Sequence, residues 1–279
     1  MVDGVMAYGP IGEPQLLPEA VMPHDDCDGR PGVTPPQVAG DGAFCTGEGY
    51  LTAFPDARGV VVALVDDAGA IVEESVVSDE AVDGFVTSFS SNGENVLVVV
   101  RSPSFSAPAL YVLVDPKGVP LGAAQPLSDE EPGPTFEAAL VATDSGWLVA
   151  LGYVAPGGSR GVLLADIAAD GSLRHQEFVS VGGYVYQLGG FVPSAYGGHL
   201  LVGQFDSGGQ YGGNYNLLFL IDDALQIAYS EAEQDDQAGK DTMAFLGIVD
   251  DTERDLVYGV QPGWSEGDPY VVQEYGCLD

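Results

Sequence analysis

The sequence predicts an all-β fold built from five copies of one four-stranded unit, and three observations predict it. A Leu recurs inside an apolar run at Leu51, Leu97, Leu148, Leu200 and Leu256, a period of about 50 residues. A Phe opens an earlier apolar run in each segment, at Phe44, Phe85, Phe136, Phe191 and Phe245. A third marker is an Asp where the third run turns into the fourth, at Asp66, Asp115, Asp166 and Asp222, with Gln273 in that place in the last segment. Short strands of even spacing that repeat at this period are the pattern of a β-propeller, here with five blades at about residues 41–78, 84–128, 135–180, 188–232 and 242–276. The 39 Gly and 19 Pro suit many strands joined by tight turns.

The elements follow in order. Residues 9–17, Gly9 to Leu17, read like the rim segment Val119 to Leu127. The last segment runs out after its third strand, so residues 9–17 are expected to supply its fourth and close the ring. Pro10 and Pro14 fit such a position, because an edge strand can lack amide donors. Residues 18–40 form a long Pro/Gly/Asp-rich loop. In the first blade, residues 50–54, 60–65 and 71–77 are the last three strands, with Asp66-Asp67-Ala68-Gly69 as a turn. The second blade is read as strands at 85–89, 96–100, 110–114 and 121–127, with turns at Asn92-Gly93 and Asp115-Pro116-Lys117-Gly118. The continuous run Val96 to Val100 is what a strand packed on both faces requires. In the third blade, residues 147–151 and 162–165 lead to a turn ending Asp170-Gly171; in the fourth, residues 200–205 and 217–221 lead to Asp222-Asp223. In the fifth, residues 256–260 and 270–273 lead to Glu274-Tyr275-Gly276.

A motif of Gly, then Tyr, Trp or His, then Leu, followed by Asp-x-x-Gly and a rim strand, is carried by Gly49-Tyr50-Leu51, Gly146-Trp147-Leu148-Val149 and Gly198-His199-Leu200-Leu201. It resembles the repeats of β-propeller proteins exported by myxobacteria and related Gram-negative bacteria, and the resemblance covers nearly all of the chain after residue 37. The chain departs from that pattern where such repeats carry a Trp late in the second strand; Val100 and Leu151 stand near that place. The resemblance implies a secreted, periplasmic or outer-surface protein and names no activity. The opening Met1-Val2-Asp3-Gly4 lacks the basic and apolar regions of a signal peptide.

Charge excludes several functions. Asp and Glu number 42 against 8 Lys and Arg, a formal net charge of −34. Such a surface repels nucleic acid and anionic membranes, and no apolar run is long enough for insertion into a bilayer as a helix. The acids are spread along the chain, as in adaptation to a salty medium, while cation binding or a basic partner would use the same charge. Of the three cysteines, Cys27 and Cys45 are the preferred disulfide, which would close the long loop; Cys27 with Cys277 is the rival pairing. No Cys pair has zinc spacing.

Three constellations are candidate sites. Asp41, Asp83, Glu137 and Asp241 fall at or just before the innermost strands, toward one mouth of the channel. There, facing carboxylates would suit a glycan hydrolase or a cation. Asp25, Asp26 and Asp28, with Gly29, form half of a calcium loop, which suggests Ca2+ as a stabiliser of a structural surface module. Gln210, Tyr211, Asn214 and Tyr215 lie in a Gly-rich connection, and Tyr184 with Tyr186 is expected in the loop entering the same blade. Aromatic faces and amides beside flexible Gly suit a saccharide or a protein partner. No Ser-His nucleophile motif or phosphate-binding loop occurs, so the leading expectation is a non-enzymatic binding protein. His199 takes the slot of Tyr50 and Trp147 and is expected to be packed rather than to act as a ligand.

Overall fold

The computed structural model describes residues 8–17, 43–46, 48–66, 69–78, 86–101, 108–128, 135–155, 157–194, 197–206, 214–222, 224–234, 247–251, 256–261 and 270–277. Among them are twenty strands and no helix, so no helix is long and apolar enough to cross a membrane. In chain order the first ten strands are β1 (Tyr8–Leu17), β2 (Ala43–Thr46), β3 (Gly49–Asp56), β4 (Gly59–Val65), β5 (Ile71–Ser78), β6 (Val86–Ser91), β7 (Val96–Arg101), β8 (Leu110–Val114), β9 (Gln125–Pro126) and β10 (Thr135–Thr143). The rest are β11 (Gly146–Val154), β12 (Arg160–Ala168), β13 (Leu173–Ser180), β14 (Tyr184–Pro193), β15 (His199–Asp206), β16 (Asn214–Ile221), β17 (Ile227–Gln234), β18 (Gly247–Asp251), β19 (Leu256–Gln261) and β20 (Tyr270–Cys277).

The strands form five antiparallel sheets of four among the described residues: β2–β5, β6–β9, β10–β13, β14–β17, and a composite sheet ordered β1-β20-β19-β18. The composite sheet joins the two ends of the chain, as expected. β1 pairs antiparallel with β20 from Tyr8 opposite Cys277 to Leu17 opposite Tyr270. The register slips between Ile11 and Gln15, around Gly12-Glu13-Pro14, where a proline cannot donate to the ladder.

Alternation explains the continuous apolar runs. Side chains of a strand point to opposite faces in turn, so a strand covered on both sides must be apolar throughout. In β7, Val96, Val98 and Val100 pack with Leu51, Val60, Val62 and Leu64 of the preceding sheet. Leu97 and Val99 of the same strand pack with Trp147, Val149, Leu151 and Leu163 of the following sheet. In β11, Leu148 and Ala150 turn onward to Leu188, Phe191, Leu201 and Phe219. The four sheets from β2 to β17 therefore stack face to face in chain order. At both ends of the stack the outward faces are buried as well: Tyr50, Val61, Ala63 and Val65 on β3 and β4, and Leu200, Val202 and Gln204 on β15.

The Leu ruler is correct. Each of Leu51, Leu97, Leu148 and Leu200 stands one residue beyond the partner of the residue that precedes the third-to-fourth-strand turn, namely Val65, Val114, Ile167 and Ile221. The Asp ruler needs two corrections. That turn starts at Asp66, Asp115, Ala168 and Asp222, each donating its N–H to the residue four positions on and accepting from the residue three on. Asp166 is thus inside β12, two residues before the turn, and is used in an ion pair with Arg174. Gln273 lies in the middle of β20, opposite Gly259, because that strand runs on to Cys277.

Other departures are local. The expected rim strand at 121–127 is reduced to β9, with one bridge from Val114 to Pro120, because Pro120 and Gly122 interrupt the ladder before it. Phe191 is near the end of β14 rather than at the start of its run, since that strand begins at Tyr184. Phe85 and Phe245 lie outside the described residues. The motif glycines have a steric cause: a Cβ on Gly49 would meet the Val65 carbonyl oxygen at 2.6 Å, and one on Gly146 would sit on the carbonyl oxygen of Ile167. The residue after the motif glycine seals a junction, for the buried Trp147 donates its Nε1–H to the Ser90 carbonyl of the preceding sheet at 3.1 Å. His199, in the equivalent slot, meets the Phe191 ring edge-on at 5.8 Å and is packed as expected.

Candidate binding site

Each sheet has two ends with different chemistry. One end carries the turns from first to second and from third to fourth strand. Its acids serve the backbone. Asp115 Oδ1 accepts the N–H groups of Lys117 and Val119 at 2.9 Å, and Asp222 Oδ1 accepts those of Ala224 and Gln226 at 2.9 and 2.8 Å. Asp66 Oδ1 accepts from Ala70 at 2.9 Å. In the third sheet the same service comes from Asp170, whose Oδ1 takes the Ser172 hydroxyl at 2.7 Å and its N–H at 3.0 Å. The Ser172 hydroxyl is the larger reason that the Asp170 carboxyl titrates below its ordinary value, with the Ser172 N–H second. Arg174 completes this end, forking onto Asp166 with Nε to Oδ2 at 3.0 Å and reaching Ser145 Oγ at 3.0 Å. These carboxylates are Asx-turn acceptors, not a site.

The opposite end carries the connections from second to third strand and from one sheet to the next. Three of the five described cations stand here: Arg58 between β3 and β4, Arg101 at the end of β7, and Arg160 at the start of β12. Arg58 pairs with Glu74 at 2.9 Å across its own sheet, and Arg101 is buried. Arg160 does something different. It crosses to the next sheet and lies over the Tyr184 ring, its guanidinium carbon 3.5 Å from the ring centroid.

Tyr184 opens β14, which corrects the expectation that Tyr184 and Tyr186 lie in a loop. The register then brings two parts of the sequence together. Tyr184 is opposite Asp206 on one side, and Asn214 is opposite Asp206 on the other. Asn214 and Tyr215 are the first residues of β16, not part of a hairpin loop as expected, with Tyr215 opposite Phe205 and Gln234. A strand forms there because β15 and β17 flank it on both sides, which outweighs the cost of the neighbouring glycines. Gln210 and Tyr211 lie outside the described residues. Tyr184, Asn214 and Tyr215, about 30 positions apart in sequence, therefore occupy one end of one sheet.

The remaining candidates are not brought together. Glu137 of β10 is partly buried, and its Oε2 accepts the Leu188 N–H at 3.4 Å, which ties the first strands of two neighbouring sheets. Asp41, Asp83 and Asp241 lie outside the described residues, as do Asp25, Asp26, Asp28 and Cys27. Cys45 stands on β2 opposite Tyr50. Among the described residues no three His, Cys, Asp or Glu groups converge as metal ligands. Arg160 and Asp206 were missed in the sequence reading. The available signal was a cation at the head of an apolar run, just after Pro156-Gly157-Gly158-Ser159, in a chain that has so few cations.

A scan against protein-family models finds no match, and a comparison with curated proteins finds none either.

Proposed function

We propose that the chain is an exported five-bladed β-propeller that binds a saccharide or a protein partner through the end of the fold carrying Tyr184, Asp206 and Asn214. The ring is supported by the stacking of four sheets in chain order and by the burial of both outward faces of that stack. The composite sheet borders β14 through β18, which makes it the natural cover for the remaining faces. The resemblance of the repeat to exported propellers supports the location outside the cytoplasm. Calcium held by Asp25, Asp26 and Asp28 belongs to the same proposal as a stabiliser.

One observation carries the binding reading. The register joins Tyr184 and Asn214 through Asp206, so an aromatic ring, a carboxylate-bearing residue and an amide-bearing residue converge on one sheet end from distant sequence. That set suits hydroxyl-rich or peptide ligands, which need stacking faces together with donors and acceptors. The test is a glycan-array and cell-surface pull-down with the wild type and with Tyr211→Ala combined with Asn214→Ala. Capture should be lost in the variant while its melting temperature stays within a few degrees of wild type. Undiminished capture by the folded variant would remove this end as the binding surface.

A further inference from the structure

We infer that Arg160 and Tyr184 form a recognition site for the carboxylate of an acidic glycan, a saccharide built of uronic acid units. The inference rests on the reading of this sheet end as the binding surface and assigns the class of ligand. Acids outnumber cations 42 to 8 in this chain, yet among the described residues no carboxylate lies within ion-pair distance of the Arg160 guanidinium and none of its N–H groups donates a hydrogen bond. A guanidinium stacked on a ring spends its face and keeps its edge. The five N–H donors lie in the guanidinium plane, so stacking on Tyr184 leaves them available to a planar oxyanion. The stack also fixes a long side chain in advance, which lowers the ordering cost on binding.

The mount is firm. The Arg160 carbonyl accepts the Val181 N–H at 3.1 Å and faces the Ser180 hydroxyl at 3.4 Å, so the backbone under the side chain is tied to the exit of β13. Arg160, Tyr184 and Asp206 are each partly exposed. Residues directly opposite in an antiparallel pair point to the same face, which puts the Asp206 side chain beside the ring. A ligand that answers the fork presents a planar, singly charged acceptor, which on a saccharide is the carboxylate of a uronic acid. A phosphomonoester dianion would meet stronger repulsion from the negative field of the whole protein.

Isothermal titration of the full chain against oligogalacturonate, oligomannuronate and oligoglucuronate, each paired with its neutral methyl ester, tests the inference. At least one free acid should bind about tenfold or more tighter than its ester, as a charge-assisted bidentate contact implies. Arg160→Gln should erase that preference, and Arg160→Lys, which keeps the charge and loses the fork, should lose most of it. Melting curves of both variants establish that they fold. Equal binding of acid and ester by the wild type, or an acid preference that survives Arg160→Gln, overturns the inference. Equal binding that Asn214→Ala nevertheless weakens leaves the binding surface standing and removes only the ligand class. If no saccharide of either charge binds, the acidic-glycan site is refuted, and the protein-partner arm of the proposed function is decided separately by the pull-down.

Discussion

At the scale of single residues, the repeated turn shows what a conformation demands of a side chain. Gly69, Gly118 and Gly171 close their turns with φ of 81, 84 and 83°. At Gly118 a Cβ would also press on Leu51 and Val62 at 3.1 Å, because this turn seats on the preceding sheet. In the fourth sheet the same position is Leu225, at φ 60° and 2% exposed, within the core shared with Phe219 and Ile221. Burial of an apolar side chain there outweighs a left-handed backbone that costs about 1–2 kcal/mol. Leu225→Ala keeps the strain and loses the packing, for about 2–5 kcal/mol. Leu225→Gly loses the same packing but relieves the strain, so urea unfolding should find it more stable than Leu225→Ala by about 1 kcal/mol. The opposite order would show that the backbone at this turn is not strained. The exposed Asp170 carboxyl offers a pH test. Its folded pKa is below the ordinary 3.8, so its contribution to stability is present above that value and lost as pH falls through the folded pKa. Ser172→Ala removes the stronger of the two hydrogen bonds. The Asp170 titration followed by NMR should move up toward 3.8, and the acid loss of stability should become shallower.

At the scale of elements, β1 decides whether the last sheet has four strands or three. Without it β20 becomes an edge with unpaired N–H and C=O groups along its length. A chain lacking residues 1–18 should melt lower, on the order of 10 °C, and should aggregate on heating. An unchanged melting temperature would show that the pairing of β1 with β20 contributes little. This element was legible in the sequence, because the last repeat ran short by one strand and residues 9–17 resembled the rim segment 119–127. The rim segment itself was misread. Its place at the rim after the Asp115 turn suggested a full strand of mixed polarity, and only the pairing with β8 shows that the ladder is confined to β9 and one bridge at Pro120.

At the scale of the whole molecule, the charge is strongly one-sided, a formal net of −34. The described ion pairs, Arg58 with Glu74 and Arg174 with Asp166, are at the surface, where such pairs contribute about 0–1 kcal/mol each. Eight Lys and Arg in all cannot offset 42 acids. Salt screens repulsion among many acids more than it weakens these two pairs, so the melting temperature should rise between low salt and about 1 M NaCl, where the Debye length falls to about 3 Å. A flat or falling curve would show that self-repulsion does not limit stability. The sequence by itself determined the period, the four-strand unit, the two-faced core strands and the N-terminal strand that completes the last sheet. Each of these is written in local apolar runs and turn residues that recur at one spacing. Only the tertiary structure decided that Ala168 rather than Asp166 begins the third turn, that Tyr184 and Asn214 meet across Asp206, and that Arg160 lies on Tyr184 of the next sheet. Those facts depend on register and on contact between sheets. A shift of one residue in register reverses every side chain, and composition and spacing carry no trace of it.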